Sequence, residues 1–500
     1  MTYIISKNPF SGKEYKEKKN KSERGKIQKF LRENNSDKVV VIQGLGYVGS
    51  VMSLVCANSN KKNYSVIGVD LPTPEALWKI KSLNEGIFPI EVEDLKLQKV
   101  LNKVKTRGNF LATFDNFAYK KADIILVDIG FDLEIKFSNG DKSLNYELNV
   151  KSFLNSLQPI ADNCKKDVTI LIETTLPPGM TQKAIMPFFK KALKKRGLSD
   201  ENFKLGHSPE RVMPGPEYLD SIQNFYRVYA GVDEVSANEI EKFLKSIIST
   251  KDYPLTRVSD TNSSEMLKVL ENSYRSMNIA FIEEWARFSE EAGINLFEVI
   301  DAIKLRPTHN NMMYPGLGVG GYCLTKDSLI AGWSRKNFFN SNLSLSLSEK
   351  SILINNRMPG KAFNFLNSKI AEKVSNKSIL MLGVSYRGDI GDTRQTPASL
   401  FYELCKKSKN EVLLHDPFVS YWKEKKLKIN QNLGEVLTPS VDIVAITAAH
   451  SFYCSKKLIN HLIIVKPKII FDTVGILSKL NIKSLERVSK VLVLGRGDLL

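Results

Sequence analysis

Lys38-Val39-Val40-Val41-Ile42-Gln43-Gly44-Leu45-Gly46-Tyr47-Val48-Gly49 decides the fold. Its first six residues form a short apolar run, the mark of a buried strand. The glycines follow at turn spacing, and an apolar helix runs from Ser50 to Asn58. A second strand, Tyr64 to Val69, ends in Asp70. Strand, GxGxxG, helix, strand and an acid about twenty residues beyond the last glycine make up a dinucleotide-binding unit. Gly44 permits the tight turn, Gly46 lets a pyrophosphate approach the backbone, and Gly49 lets the helix pack on the strand. Tyr47 and Val48 complete the turn, and the helix N-terminus behind it meets the phosphate charge. Asp70 accepts hydrogen bonds from a ribose diol and repels a 2′-phosphate, so NAD is the expected cofactor.

Strand and helix keep alternating downstream. Ala122 to Val127 reads as a strand, Val150 to Asn163 as a helix and Val168 to Glu173 as a strand. Thr174-Thr175-Leu176-Pro177-Pro178-Gly179 leaves the carboxyl end of that strand, where ligands bind in such sheets. A short strand starts at Lys204, and the loop His207 to Gly215 holds the carboxylate Glu210, whose plain alternative is a surface ion pair. From Asp260 to about Gly293 the spacing predicts one long helix, capped by Ser259 or Asp260. Met266, Leu267, Leu270, Tyr274, Met277, Phe281 and Trp285 form its apolar stripe, a candidate dimer interface. Lys268 and Asn272 lie four apart on another face, with Glu265 and Ser276. A shorter helix, Asn295 to Ile303, follows.

Next comes Gly316-Leu317-Gly318-Val319-Gly320-Gly321-Tyr322-Cys323-Leu324-Thr325-Lys326-Asp327. Ser328 to Lys336 reads as helix, which puts Cys323 near a helix N-terminus, where a thiolate is favoured. Cys323 and Asp327 would share a helical face, as a nucleophile and an acid/base partner. The bland alternative is a buried structural cysteine. Ser351 to Phe365 is helical, with Pro359 a kink or break. A second α/β unit starts at Ser378, with strands at Glu411–His415, Val441–Thr447, Lys468–Asp472 and Lys490–Leu494. Its first loop, Val384 to Pro397, lacks GxGxxG but carries Arg387 and Arg394, suited to a diphosphate.

A chain of 500 residues needs more than one core. Net charge is +18, with +5 in the first 37 residues. The basic excess is spread along the chain without a nucleic-acid motif, so nucleic acid is not an expected partner. No apolar run approaches a membrane span, and the N-terminus lacks a signal-peptide core. The five cysteines are scattered, with no metal-ligand spacing, as in a reduced, cytoplasmic protein; no metal is expected.

The Rossmann unit, the Lys-x3-Asn helix, the cysteine motif and the Gly391-Asp392-Thr393-Arg394 loop occur in one order. Over residues 38 to 500 the chain resembles the UDP-glucose/GDP-mannose dehydrogenase family, the nucleotide-sugar dehydrogenases. The resemblance implies an α/β fold of two Rossmann-like parallel-sheet domains joined by a central helical domain with a long helix. It implies an NAD-binding domain at 38–233, a central helical and dimerisation domain at 234–335, and a UDP-sugar-binding domain at 336–500; residues 1–37, polar and lysine-rich, lie outside the resemblance and read as a basic extension, flexible or partly helical. It also implies oxidation of C6 of a UDP-sugar to a carboxylate with two NAD, in a homodimer or higher homo-oligomer, as precursor supply for a surface polysaccharide.

By motif, Cys323 is implied as the nucleophile, through a thiohemiacetal and a thioester. Lys268 and Asn272 match the oxyanion-stabilising pair. Asp327 matches a carboxylate that activates water and tunes Lys268. Glu210 matches the Glu of the hydrolytic loop, and Thr175 a threonine near the nicotinamide. Tyr314, Gly318 and Gly320 match the loop over the substrate, and Arg387 and Arg394 its diphosphate or uracil contacts or a neighbouring subunit. Ser208-Pro209-Glu210-Arg211-Val212-Met213-Pro214-Gly215 is similar to the form in UDP-N-acetylhexosamine dehydrogenases, which points to UDP-N-acetylglucosamine or UDP-N-acetylmannosamine. UDP-glucose oxidation, a two-electron 3-hydroxyacid dehydrogenase and a catalytically impaired nucleotide-binding homologue are the alternatives. Three stretches depart from the family pattern. Val127-Asp128-Ile129-Gly130-Phe131-Asp132 stands where V-P-T-P is usual, so Asp128 is expected to bring a negative charge near the cofactor. Thr447 to His450 lacks an acid, and Asp472 to Gly475 lacks Arg-Asn.

Overall fold

The computed structural model describes residues 3–19, 21–92, 94–138, 143–370 and 374–500. The chain divides into two compact units. One holds Met1–Glu134, Tyr146–Leu270 and Ile330–Leu343; the other holds Ile135–Asn145, Glu271–Leu329 and Ser344–Leu500.

Up to Arg257 the elements are β1 (Tyr3–Lys7), β2 (Glu14–Lys18), α1 (Arg24–Glu33), β3 (Lys38–Gln43), α2 (Gly49–Ala57), β4 (Tyr64–Val69), α3 (Pro74–Glu85), α4 (Leu95–Arg107), β5 (Phe110–Thr113) and β6 (Ile124–Val127). There follow β7 (Leu133–Ser138), β8 (Ser143–Leu148), α5 (Val150–Asn163), β9 (Thr169–Ile172), α6 (Met186–Lys195), β10 (Lys204–His207), α7 (Asp220–Gln223), β11 (Val228–Gly231), α8 (Glu234–Ile247) and β12 (Thr256–Arg257).

The first unit is built on a sheet of order β12-β11-β10-β9-β6-β3-β4-β5. It is parallel except where β10 meets β11. Strands β4, β6 and β9 are buried throughout, which is why they read as unbroken apolar runs: helices cover both faces. Helix α2 is buried on every side and packs Val51, Met52, Leu54 and Val55 against Val40, Ile42 and Val66. Each such side chain contributes about 1.5–3 kcal/mol by leaving water. Strand order reverses between β3 and β6, with β4 and β5 to one side and β6, β9 and β10 to the other. A crevice opens at such a reversal, beyond the carboxyl ends of the strands.

Residues ahead of Lys38 differ from the expectation of a flexible or partly helical extension. The helix is there as α1, but β1 and β2 also pair as an antiparallel hairpin. Ser6 bonds both ends of the first turn of α3, giving its hydroxyl to the Pro74 carbonyl and accepting from Trp78 N–H at 3.0 Å. Lys13 and Tyr15 reach Glu85 at 2.8 and 3.0 Å, and Glu17 takes Lys81 at 2.6 Å. The inward positions of the hairpin are Ile4, Ser6, Tyr15 and Glu17. Two of the four are polar, so the alternation of a strand was not visible as hydrophobicity. The β7–β8 pair was also missed, although Leu133, Ile135 and Phe137 alternate with Glu134 and Lys136.

Helix α9 (Thr261–Ala292) starts in the first unit and continues into the second, capped by Asp260, whose carboxylate accepts Ser263 N–H at 2.8 Å. Beyond it are α10 (Leu296–Lys304), α11 (Asp327–Phe339), α12 (Ser346–Ser368), β13 (Ser378–Leu382), α13 (Pro397–Lys407), β14 (Glu411–His415), β15 (Tyr421–Trp422), β16 (Leu427–Lys428), α14 (Leu433–Val436), β17 (Ile443–Ile446), α15 (Lys456–Val465), β18 (Ile469–Asp472), α16 (Lys479–Leu485) and β19 (Lys490–Val493). Helix α12 runs unbroken through Pro359, where a kink or break was expected. The second sheet, β14-β13-β17-β18-β19, is parallel throughout and reverses between β13 and β17.

The faces of α9 invert the usual pattern. Leu270 is 63 % exposed and Trp285 48 %, while Glu265 is fully buried and Lys268 8 % exposed. Met266, Tyr274, Phe281 and Phe288 lie out with the stripe; Ser264, Asn272 and Ser276 lie in. The lysine face, which sequence alone would leave solvated, is the inner one.

Candidate active site

The cofactor turn follows β3. Gly44 has φ +94°, and a Cβ on it would stand 2.6 Å from the Asp128 carbonyl oxygen. A Cβ at Gly49 would stand 1.8 Å from the Gly44 carbonyl oxygen, so α2 can lie this close to the strand only without a side chain there. At Gly46 the same atom would meet nothing within 4 Å. The N-terminus of α2 beside it has no side-chain cap, so its first amides are open to a phosphate. Tyr47 offers its carbonyl to the Tyr218 hydroxyl, which fixes the turn from outside. Asp70 accepts Leu45 N–H at 3.1 Å and pairs with Lys79 at 3.0 Å. Lys79 had no signal in the sequence; it softens the charge of Asp70. Open space over Gly46, an uncapped helix end and an acid at the tip of β4 fit a dinucleotide.

The first unit also holds Thr175, Glu210 and Lys268. Glu210 follows β10, with its N–H bonded to Glu173 O at 3.3 Å. Burial pushes its carboxyl up to about 7, against the pull of Lys268 and Arg227. Its Oε1 is buried with no partner among the described residues. Thr175 is half-buried on the loop beyond β9. Glu265 holds the next stretch of that loop to α9 by accepting Gly179 N–H at 2.6 Å and Thr181 N–H at 2.8 Å.

Two supporting residues escaped the sequence reading. His207 donates from Nε2 to Thr174 O at 3.2 Å and accepts at Nδ1 from Ser264 at 2.8 Å, in the neutral tautomer this network suits. Burial pushes it down to about 3. Arg227 pairs with Glu173 and donates to Ser208 Oγ at 2.9 Å, so it clamps the loop before Glu210. Both lie far in sequence from their partners, and neither belongs to a motif.

The second unit holds Cys323, Asp327 and Asn272. Helix α11 starts at Asp327, so Cys323 lies in the turn ahead of it rather than on a shared helical face. The spacing still acts: Cys323 O accepts Asp327 N–H at 3.0 Å, one α-turn that leads into the helix. The thiol is half-buried. Asp327 is buried, takes Asn272 Nδ2 at 2.7 Å on one oxygen and Lys326 Nζ at 3.0 Å on the other. Lys326 was read only as part of the motif. A Cβ on Gly320 would stand 2.4 Å from Tyr386 Cβ, and Gly321 N–H bonds Arg394 O at 2.9 Å. The cysteine loop is thus pressed onto the loop after β13. Gly318 packs beside Pro397 and Pro359.

In that second loop Arg394 is bound to Asp392 through Nε at 2.9 Å and Nη2 at 2.6 Å, while Arg387 is exposed. His450, where an acid was expected, is buried. Its Nδ1 accepts Asp389 N–H at 2.8 Å and its Nε2 meets Asp416 at 3.1 Å, so it pins the loop that carries Arg387. Asp472 caps the turn after β18, accepting Val474, Gly475 and Leu477 N–H at 2.8–3.0 Å. Tyr314 is held by α10: its hydroxyl donates to Asp301 at 2.5 Å and its ring stacks on Phe297.

A dinucleotide crevice with buried carboxyls at its strand ends in one unit, and in the other a thiol loop pressed onto the first loop of a second parallel sheet, are the parts of a nicotinamide-dependent oxidoreductase. Three domain models of one family match, the NAD binding domain over residues 37–248, the central domain over 262–357 and the UDP binding domain over 380–479. The chain belongs to the UDP-glucose/GDP-mannose dehydrogenase family. Its cofactor is NAD.

The UDP-N-acetyl-D-mannosamine dehydrogenase of Methanocaldococcus jannaschii is 30 % identical over 452 residues, which are 90 % of this chain and 95 % of that one. The solved UDP-D-ManNAc dehydrogenase of Pyrococcus horikoshii shares 27 % identity, with a TM-score of 0.74 over 92 % of this chain and all of that one. The NDP-N-acetyl-D-galactosaminuronic acid dehydrogenase of Methanosarcina mazei, 24 % identical, shares the fold with a TM-score of 0.73 over 95 % of this chain and 98 % of that one. No helix among the described residues is long and apolar enough to cross a membrane.

Proposed function

We propose that the chain oxidises C6 of a UDP-linked N-acetylhexosamine from alcohol to carboxylate in two steps, with UDP-N-acetylmannosamine first among the candidates and UDP-N-acetylglucosamine second. The observation that carries this reading is Cys323, a half-buried thiol on a glycine loop whose α-turn ends at the buried, Asn272-bound Asp327. The names of the relatives and the SPERVxPG loop support the N-acetyl sugar. NAD, when bound, supplies the hydride acceptor for each oxidation. Asp70 takes the ribose, and the amides around Gly46 take the pyrophosphate.

The Cys323 thiolate adds to the C6 aldehyde, and a carbon–sulfur bond forms as the carbonyl oxygen takes up the negative charge. Lys268 and Asn272 supply an ammonium and an amide N–H to that oxygen. After the second oxidation the group is a thioester. Glu210 accepts a proton from water as the water attacks, with Asp327 assisting. The carbon–sulfur bond breaks, sulfur leaves as thiolate, and the carboxylate is free. Thr175 orients the reacting carbon. Tyr314, Gly318 and Gly320 cover the sugar, and Arg387 and Arg394 face the diphosphate. We assign residues 38–233, 234–335 and 336–500 to cofactor, central and UDP-sugar segments, in a cytoplasmic enzyme that supplies a uronate for surface polysaccharide.

The test is NADH formed per sugar consumed, with UDP-N-acetylmannosamine, UDP-N-acetylglucosamine and UDP-glucose in parallel. Two NADH per N-acetyl sugar support the reading; one NADH points to a simple alcohol dehydrogenase, and none, despite binding, to an impaired homologue. The pH dependence carries its own expectation. Glu210 must be ionised to act as base, and burial holds it at about 7, so kcat should fall about tenfold per pH unit below that midpoint. A profile flat from pH ~5 to ~8 would exclude Glu210 as the base.

We also assign the outward apolar stripe of α9 to a second copy of the chain. Leu270→Glu with Trp285→Glu should convert a dimer to monomers in light scattering. A double variant that keeps the wild-type mass would show that the stripe is not the interface.

A further inference from the structure

Three neighbouring strands of the first sheet each end in a carboxyl. Asp128 follows β6, Glu173 follows β9, and Glu210 lies on the loop after β10. Arg227 stands at the same edge because β11 runs the other way. Backbone bonds fix the row: Asp128 N–H to Gln43 O at 2.9 Å, Glu173 N–H to Val127 O at 3.1 Å, and Glu210 N–H to Glu173 O at 3.3 Å. The row begins in the dinucleotide crevice, because Asp128 borders Gly44 at the reversal of strand order.

Both Asp128 oxygens are buried, and no N–H or hydroxyl among the described residues donates to them. The neighbouring carboxyl at the sheet edge is Glu173, because β6 pairs with β9 and Val127 lies opposite Ile172, and the two acids act on each other. Glu173 has given Oε1 to Arg227, and its Oε2 has no other donor. Two carboxylates cannot hydrogen-bond each other, since both only accept; one of them must hold a proton. Burial raises Glu173 too, but the Arg227 guanidinium paired with it pulls the other way, which draws the charge of the two acids to Glu173 and the proton to Asp128. The charges around the row are Glu173, Glu210, Arg227 and Lys268, with the thiol of Cys56 facing Asp128 and Glu173, and neutral His207 beyond. Three ionised carboxyls against two cations would leave one buried charge unbalanced. With Asp128 neutral, Glu173 balances Arg227, and Glu210 balances Lys268.

We propose that Asp128 is a positioning residue held as a neutral carboxylic acid, its O–H donated to Glu173, so that the Glu173–Arg227 pair stays closed and Glu210 alone in the row titrates during turnover. The expected negative charge beside the cofactor is thereby replaced by a hydrogen-bond donor. Burial and the neighbouring Glu173 raise the Asp128 carboxyl well above its ordinary range. A raised acid gives stability that is fully present below the unfolded value near 4 and is lost as pH rises toward the folded one.

Asp128→Asn keeps a donor and removes the proton. Its unfolding midpoint should therefore gain on the wild type as pH rises from about 5 to about 8, by up to tenfold per pH unit in the unfolding constant. A gap that stays constant over that range overturns the proposal. Should the variant not fold, wild type with 13C-labelled aspartate carboxyls decides: an infrared band of a protonated acid at neutral pH must shift on labelling, and no shifted band means that Asp128 is ionised. Neither measurement needs turnover, so failure of the proposed reaction would leave both intact. The kinetic arm rests on the functional reading. The midpoint of kcat in Asp128→Asn should stay within about 0.3 pH units of wild type, whereas Glu173→Gln should lower it by about one, having removed a charge that raises Glu210. An equal drop in Asp128→Asn would show an ionised aspartate.

Discussion

Cys323→Ala forms no uronate: steady-state NADH production falls by at least about 10³-fold, the loss typical of removing a covalent nucleophile. The aldehyde then has no thiol to accept it, and no thioester forms for water to cleave. The substitution takes one sulfur from a half-buried loop position and leaves the backbone of the α-turn to Asp327 in place. The melting temperature and the affinity for NAD should therefore stay near those of the wild type. Calorimetric titration and thermal melting, run beside the NADH assay, separate lost chemistry from lost structure. Uronate formed at even a tenth of the wild-type rate would remove Cys323 from the mechanism.

The second large effect is at Gly49. A methyl there would lie 1.8 Å from a backbone oxygen that cannot rotate away, so α2 must shift or the turn must open. Gly49→Ala should cost roughly 3 kcal/mol or more and weaken NAD at least about 100-fold. Gly46→Ala is the control, because its methyl meets no protein atom within 4 Å. That variant should melt like the wild type yet bind NAD about 10–100-fold more weakly, since the methyl occupies the pyrophosphate's place. If Gly46→Ala binds NAD normally, the dinucleotide does not cross the turn as expected.

The stretch from Lys38 to Asp70 was legible because the backbone itself dictates its residue types: only glycine fits at Gly44 and Gly49, and only apolar residues suit strands covered on both faces. The long helix was legible by its period, down to Asp260 as its cap. Which face of α9 is buried was not. Period shows that two faces differ, but the polar one turns inward here because its groups find partners in the fold, such as Glu265 on the Thr181 amide and Asn272 on Asp327. Arg227 and Glu173 sit 54 residues apart, and His207 and Ser264 57. Local pattern cannot pair residues over such distances. Asp128 was visible as a departure, but the sign of its effect needed the neighbouring carboxyl.

The hairpin at the start of the chain bears on the order of folding. Ser6 waits for Pro74, 68 residues on, and Glu23 for Thr113, 90 residues on. Ile4 shares an apolar cluster with Leu45 of the cofactor turn and with Leu77 and Ile80 of α3. This segment therefore closes only against residues 68 to 90 positions further along the chain. Contacts of such sequence separation close late and slowly. These residues are among the last placed, and the cofactor turn gains its outer packing only when they arrive.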